Sequence, residues 1–221
     1  MPKIVLLAGQ SNMAGAGVSA ELPDAYQSAP AGIRLFEDGE FRALIWRETF
    51  GPEVGFAHAV ANAGITDVVL CKHARGGANL FYDWNPDGVS KDEEKDEYRG
   101  PLYPQLLAAL TQLCEEFEDD EIDVAGVLWV QGERDSVFSF MAHAYEDNLA
   151  GLLAALRQDT GTAELPFVLG RVSPRMVNLS SLRHQHAYRT IVRDAQVYVT
   201  VQDPYAGWVD TDDLPTGDNL H

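Results

Sequence analysis

The sequence predicts an α/β domain built on a five-stranded parallel sheet, and three observations carry that prediction. Short apolar runs recur along the chain at residues 4–8, 68–71, 124–130, 167–172 and 197–201. They are rich in Val, Ile and Leu, which suits strands covered on both faces. Segments with helical spacing separate most of them, and right-handed crossovers then place helices on both faces of the sheet. The 221 residues suit one domain, and no repeat, linker or low-complexity tract divides residues 1–221.

The elements follow in order. The first run stops at Gly9 and is followed by Gln10-Ser11-Asn12-Met13, and residues 16–32 (rich in Ala, Pro, Gly and Ser) read as a loop. Residues 33–36 and 41–46 flank Glu37-Asp38-Gly39-Glu40 and predict a small hairpin turning at Gly39. Gly51-Pro52-Glu53 opens a helix over 54–63 that Gly64 closes. The second strand ends in Lys72-His73-Ala74-Arg75-Gly76-Gly77, and the charged run 92–97 reads as a solvated excursion. Leu106, Leu107, Leu110, Leu113 and Phe117 set a helix over 102–117, with an acidic turn at 118–121. The third strand ends in Gln131-Gly132-Glu133-Arg134-Asp135 and leads to a helix over 142–158. A helix over 182–194 precedes the fifth strand, and residues 211–221 read as a polar tail.

Composition narrows the partners. Asp and Glu number 34 against 16 Lys and Arg, a formal charge of −18. Such a field repels nucleic acid and anionic membranes and tolerates neutral or cationic substrates. No stretch approaches the ~20 apolar residues of a membrane helix. Only five apolar residues precede Gly9, too few for a signal peptide, so the cytoplasm is the expected location, or the exterior if a leader has been removed. Cys71 and Cys114 form no CxxC pair and read as ordinary packing thiols.

In an open α/β sheet, ligands bind where strands end at the carboxyl edge. Three such ends are polar here, carrying Ser11, Gly76-Gly77 and Gln131, and the tail adds Asp218-Asn219-Leu220-His221. Each has an ordinary alternative. Ser11 could cap a helix, a Gly-Gly is a tight turn, and Asp218 bends a loop. Together they meet the needs of acyl transfer. Ser11 is a nucleophile that needs a base, which His221 supplies. Asp218, three residues back, fixes the imidazole. The Ser11 N–H, a glycine N–H at Gly76 or Gly77 and the Gln131 amide are donors of the kind an oxyanion needs.

Gly9-Gln10-Ser11-Asn12-Met13, Ala74-Arg75-Gly76-Gly77, Trp84-Asn85-Pro86, Trp129-Val130-Gln131-Gly132-Glu133, Tyr145-Glu146-Asp147-Asn148-Leu149 and Asp218-Asn219-Leu220-His221 stand in an order that resembles the SGNH hydrolase superfamily. The branch most similar is that of sialate O-acetylesterases and acetylxylan esterases (carbohydrate esterase family 6). The resemblance runs from residue 4 to 221 and implies a flavodoxin-like three-layer α/β/α fold and metal-free, cofactor-free ester hydrolysis through an acyl-serine. Carried over by position, the triad is Ser11, Asp218 and His221, and the Ser11 N–H, Gly77 and Gln131 form the oxyanion hole. Gln10, Asn12, Gly76 and Glu133 support it, with Glu133 organising its loop by accepting backbone hydrogen bonds.

Arg75, Trp84 and Arg134 are assigned to substrate, and Trp84 and Tyr82 either stack on a sugar ring or pack within their own loop. Arg134 departs from the family's small polar residue at that position. His221 is the last residue, where family members continue: either the base ends the chain beside the terminal carboxylate and is poorly held, or the chain is truncated at its C-terminus. His184 and His186 lack a third metal ligand and are read as surface residues. The expected activity is removal of small acyl groups, above all acetyl, from a carbohydrate. A lipase-like or thioesterase-like hydrolase with the same triad, or a carbohydrate-binding module without turnover, is the alternative. The sequence carries no signal for an oligomeric state.

Overall fold

Strands β1 (Lys3–Gly9), β6 (Val68–Ala74) and β7 (Asp123–Val130) form the centre of the sheet, with β1 paired in parallel to both of the others. The computed structural model describes residues 2–87, 101–117, 123–174 and 187–214. Between β1 and β6 lie a single helical turn, α1 (Ser11–Ala14), and the two-residue strands β2 (Gly17–Val18) and β5 (Thr49–Phe50), which pair with each other. The hairpin β3 (Ile33–Glu37) and β4 (Glu40–Arg42) also falls here, followed by helix α2 (Pro52–Asn62). Helix α3 (Leu102–Glu115) precedes β7. Helix α4 (Ser139–Asp159), β8 (Phe167–Gly170), α5 (Arg189–Gln202) and β9 (Ala206–Val209) complete the order. The sheet runs β4-β3-β6-β1-β7-β8-β9 and is parallel except at β4.

Alternation along β1 divides the core. Ile4, Leu6 and Ala8 point to the face covered by α3, α4 and α5, while Val5 and Leu7 point to the face covered by α2. The predicted α/β fold with helices on both faces is therefore present, with two differences.

The sheet has seven strands among the described residues, not five. The hairpin does not stand apart, because β3 pairs with β6 from Ile33–Val68 to Glu37–Lys72 and extends the sheet by two strands. Its turn at Asp38 and Gly39, both at positive φ, is the short left-handed kind that matches strand twist.

The expected strand at 197–201 is the last part of helix α5. Alternating Val197, Val199 and Val201 imitate a strand, but the buried positions are Val192, Ala195, Gln196, Val199 and Thr200. That is the i, i+3, i+4, i+7, i+8 stripe of a helix packed on one side. The fifth strand's place is taken by β9, whose short Ala-Gly-Trp-Val run has little apolar signature. The predicted helix start at 182, the charged run 92–97 and the acidic turn 118–121 lie outside the described residues.

Candidate active site

The strand order decides which loops can meet. Because β1 lies between β6 and β7 and all three are parallel, the loops after them leave the same edge side by side. These are the loops that carry Ser11, Gly76-Gly77 and Gln131.

Ser11 is the first residue of α1, one step beyond the end of β1. It does not act as the helix cap: Gln10 occupies that position and the turn has no side-chain capping bond. The turn closes through the Ala14 N–H to the Gln10 carbonyl (2.7 Å) and the Gly15 N–H to the Ser11 carbonyl (2.9 Å). Gly9 lets the strand end pass its neighbour, since a Cβ there would stand 2.1 Å from the Val130 carbonyl oxygen.

Across from Ser11 stands the glycine turn. A Cβ on Gly76 would come within 4.0 Å of the Ser11 Cβ, and Gly77 holds a positive φ of 72° with open space around it. Both glycines are solvent-exposed, so the turn borders a space that a substrate can enter. Two buried carboxylates hold this loop. Asp83 accepts the Asn79 N–H (2.9 Å) and an Arg75 guanidinium N–H (2.5 Å), and burial raises its pKa against the pull of those donors. Asp135, reaching over from the loop after β7, accepts the N–H groups of Leu80 (2.9 Å) and Phe81 (3.2 Å). Burial pushes the Asp135 carboxyl up to about 7, with the N–H donors of Leu80, Gln131 and Phe81 opposing the shift.

Two assignments change in this geometry. Gln131 is fully buried, and its amide nitrogen faces three acceptors: Asp135 Oδ2 (2.5 Å), the Ala78 carbonyl (3.1 Å) and Gln10 Oε1 (3.3 Å). Two hydrogens cannot serve more than these, so the side chain braces the loops from beneath and is not aimed at an oxyanion. The Gln131 backbone carbonyl accepts the Gln196 side-chain N–H (2.9 Å) and the Tyr145 hydroxyl (3.0 Å), which ties this residue to α5 and α4.

Trp84 is also fully buried. Its indole N–H donates to the Gly9 carbonyl (3.1 Å), and its ring packs edge-on against Trp129 at 5.2 Å. It belongs to the core and has no face to offer a sugar. Tyr82 is half-buried, edge-on to Phe81.

The supporting residues are organisers of these loops. Gln10 Oε1 accepts the N–H groups of Gly132 (3.4 Å) and Arg134 (3.3 Å). Glu133, expected to accept backbone hydrogen bonds, accepts the Asn12 side-chain amide at 2.7 Å. The Arg134 guanidinium lies over Phe138 (5.3 Å), and Arg75 pairs with Asp83 at the rim of the glycine turn. Asp135, Asp83 and Gln196 were not singled out from the sequence. Asp135 lies four residues after Gln131 in a polar strand-end loop, and that spacing was the signal available. Asp218 and His221, and also His184 and His186, lie outside the described residues.

Beyond Asn12 and Glu133 an apolar trough of about 510 Å³ runs over Met13, Phe56, Val130 and Val168 to Leu214. No helix among the described residues is long and apolar enough to cross a membrane.

Residues 2–221 match the family described as carbohydrate esterase, sialic acid-specific acetylesterase. A probable carbohydrate esterase from Arabidopsis thaliana is 27% identical over 250 residues, which cover 99% of this chain and 83% of that protein. Among solved structures, an Arabidopsis thaliana protein superposes with a TM-score of 0.73 at 23% identity, over 99% of this chain and 90% of its own. A carbohydrate acetylesterase from Xanthomonas citri gives 0.72 at 19% identity, over 99% and 52%. NanS gives 0.65 at 16% identity, over 97% and 78%.

Proposed function

We propose, from the premise that the chain belongs to the carbohydrate esterase, sialic acid-specific acetylesterase family, that Ser11 is the nucleophile with which it removes acetyl groups from a carbohydrate. The chain is a carboxylic ester hydrolase, and its substrate is an acylated carbohydrate. The observation that supports Ser11 most is its position. It starts a one-turn helix at the carboxyl end of the central strand, facing an exposed glycine turn.

In this reading Ser11 Oγ attacks the ester carbonyl carbon as His221 takes its proton and Asp218 stabilises the imidazolium. The oxyanion receives the N–H of Ser11 and an N–H of the Gly76-Gly77 turn, with Gly77 the favoured donor. Collapse of the tetrahedral intermediate breaks the bond to the sugar oxygen, which leaves with the proton from His221. Water, deprotonated by the same imidazole, then releases acetate and restores Ser11. Arg75, next to the glycine turn, and Arg134, in the loop after β7, contact the sugar. The buried Gln131 supports the oxyanion loop indirectly, through Asp135 and Ala78.

The test is hydrolysis of p-nitrophenyl acetate, butyrate and octanoate by wild type and Ser11→Ala, with fluorophosphonate labelling in parallel. Acetate turnover and labelling that both vanish in Ser11→Ala are the expected result. Activity that survives the substitution overturns the assignment. A second reading, a longer acyl chain, draws on the apolar trough beside Asn12. Faster turnover of octanoate than of acetate would establish it.

A further inference from the structure

A lysine is buried directly behind the nucleophile's turn. Lys72 sits on β6, in register with Leu7 of β1 and Glu37 of β3, and its side chain is only 2% exposed. Its ammonium donates to the carbonyl oxygen of Ala14, the last residue of α1, at 3.0 Å. It pairs with Glu53 Oε2 at 2.9 Å and lies 4.0 Å from Glu37 Oε1. Both carboxylates are anchored in turn. Glu53 Oε1 accepts the Gly51 N–H (2.8 Å), and Glu37 accepts the Trp46 indole N–H (3.0 Å) and pairs with Arg47 (3.4 Å).

Such a cluster is a poor way to gain stability. Desolvating an ammonium and a carboxylate costs as much as their attraction returns, and apolar replacements of whole buried pairs are often neutral or stabilising. What it provides here is position. A single helical turn has no stability of its own, and α1 is four residues long. Its amino end is tied by the Gln10 and Asn12 side chains to the loop after β7. Its carboxyl end meets Phe50 and Gly51 so closely that a Cβ on Gly15 would stand 2.7 Å from the Phe50 carbonyl carbon. Lys72 is the charged donor that fixes the last carbonyl of the turn, and Glu53 and Glu37 fix Lys72.

We infer that Lys72, held by Glu53, is a positioning residue that sets the attack geometry of Ser11 from behind the turn. The inference rests on the reading of Ser11 as nucleophile. Displacing a reacting group by about 1 Å costs on the order of a hundredfold in rate, so losing this anchor lowers kcat and leaves the sugar-binding rim intact.

The experiment compares wild type, Ser11→Ala and the double variant Lys72→Met/Glu53→Gln, which removes both charges together and keeps an acceptor for Gly51. Expected is a folded double variant whose kcat on p-nitrophenyl acetate falls at least tenfold. KM should stay within threefold, and fluorophosphonate labelling should slow by the same factor as kcat. A folded double variant with wild-type kcat and labelling overturns the inference, as does a change confined to KM. If the double variant does not fold, amide exchange in the wild type decides. Ala14 and Gly15 amides at least a hundredfold slower than those of the exposed Ser28 and Ala29 support the anchored turn, and equal rates overturn it. Activity that persists in Ser11→Ala marks failure of the nucleophile assignment instead, so the two failures are distinguishable.

Discussion

The indole N–H of Trp84 donates to the carbonyl of Gly9, 75 residues earlier in the chain, and so joins the far end of the glycine loop to the strand end that presents Ser11. Trp84→Phe keeps the ring packing on Trp129 and loses that bond, leaving the Gly9 carbonyl with the longer bond from the Arg75 N–H (3.4 Å). The expected loss is about 1–3 kcal/mol, read as a lower urea midpoint at unchanged slope. A residue that stacked on a sugar would instead raise KM for glycan substrates and leave stability alone.

Gly9 and Gly151 predict opposite signs for the same substitution. A Cβ at Gly9 collides with the Val130 carbonyl, within the pair of strands that carries the site. Gly9→Ala is expected to cost about 3 kcal/mol or more. Gly151 lies exposed inside α4 with nothing within 4 Å of an added Cβ. Gly151→Ala is expected to stabilise the protein by about 0.5–1 kcal/mol. Thermal midpoints of the two variants check both.

Asp135 predicts a pH signature. Its carboxyl is pushed up to about 7 by burial, whereas in the unfolded chain it ionises near 4. Between those values the folded protein holds a proton that the unfolded chain has released. This group's contribution therefore declines as pH rises through the window. About 4 kcal/mol is its upper bound. Asp135→Asn removes the titration, so the stability of wild type relative to the variant should fall from pH 5 to pH 8. A constant difference across that range would contradict the shift.

The thiols should respond unequally to an aromatic disulfide reagent at pH 8. Burial pushes Cys71 up to about 12, and Cys114, half-buried on α3, is raised less. Native protein is expected to react slowly at Cys114 and not at Cys71, and both react once urea unfolds the chain. Fast labelling of Cys71 in the native state would contradict its place in the core.

The neighbourhood of Ser11, Gly76 and Gln131 was legible because it follows from strand order. Three consecutive crossings that place β6 and β7 on either side of β1 bring their loops together whatever the loop residues are. Side-chain direction was not legible. Trp84 and Gln131 both follow strands in polar loops, and nothing in their spacing says that one turns its indole, and the other its amide, into the interior. Asp135 escaped for a related reason: its place four residues after Gln131 was visible, but the two backbone N–H groups it accepts lie 54 and 55 residues away. The strand expected at 197–201 failed on β-branching, which yielded to the helical stripe that α5 buries.

The bracing of these loops also bears on how such an enzyme can change. Gln10, Gln131 and Asp135 knot three turns into one buried lattice, so inserting or deleting a single residue between 131 and 136 would pull several bonds out of register at once. Innovation in what the enzyme accepts is thereby channelled outward, to side chains outside this lattice such as Tyr82 and Arg134. Length variation belongs to the mostly exposed residues 28–31, away from the lattice and from the β2–β5 pair that backs the seat of Ser11.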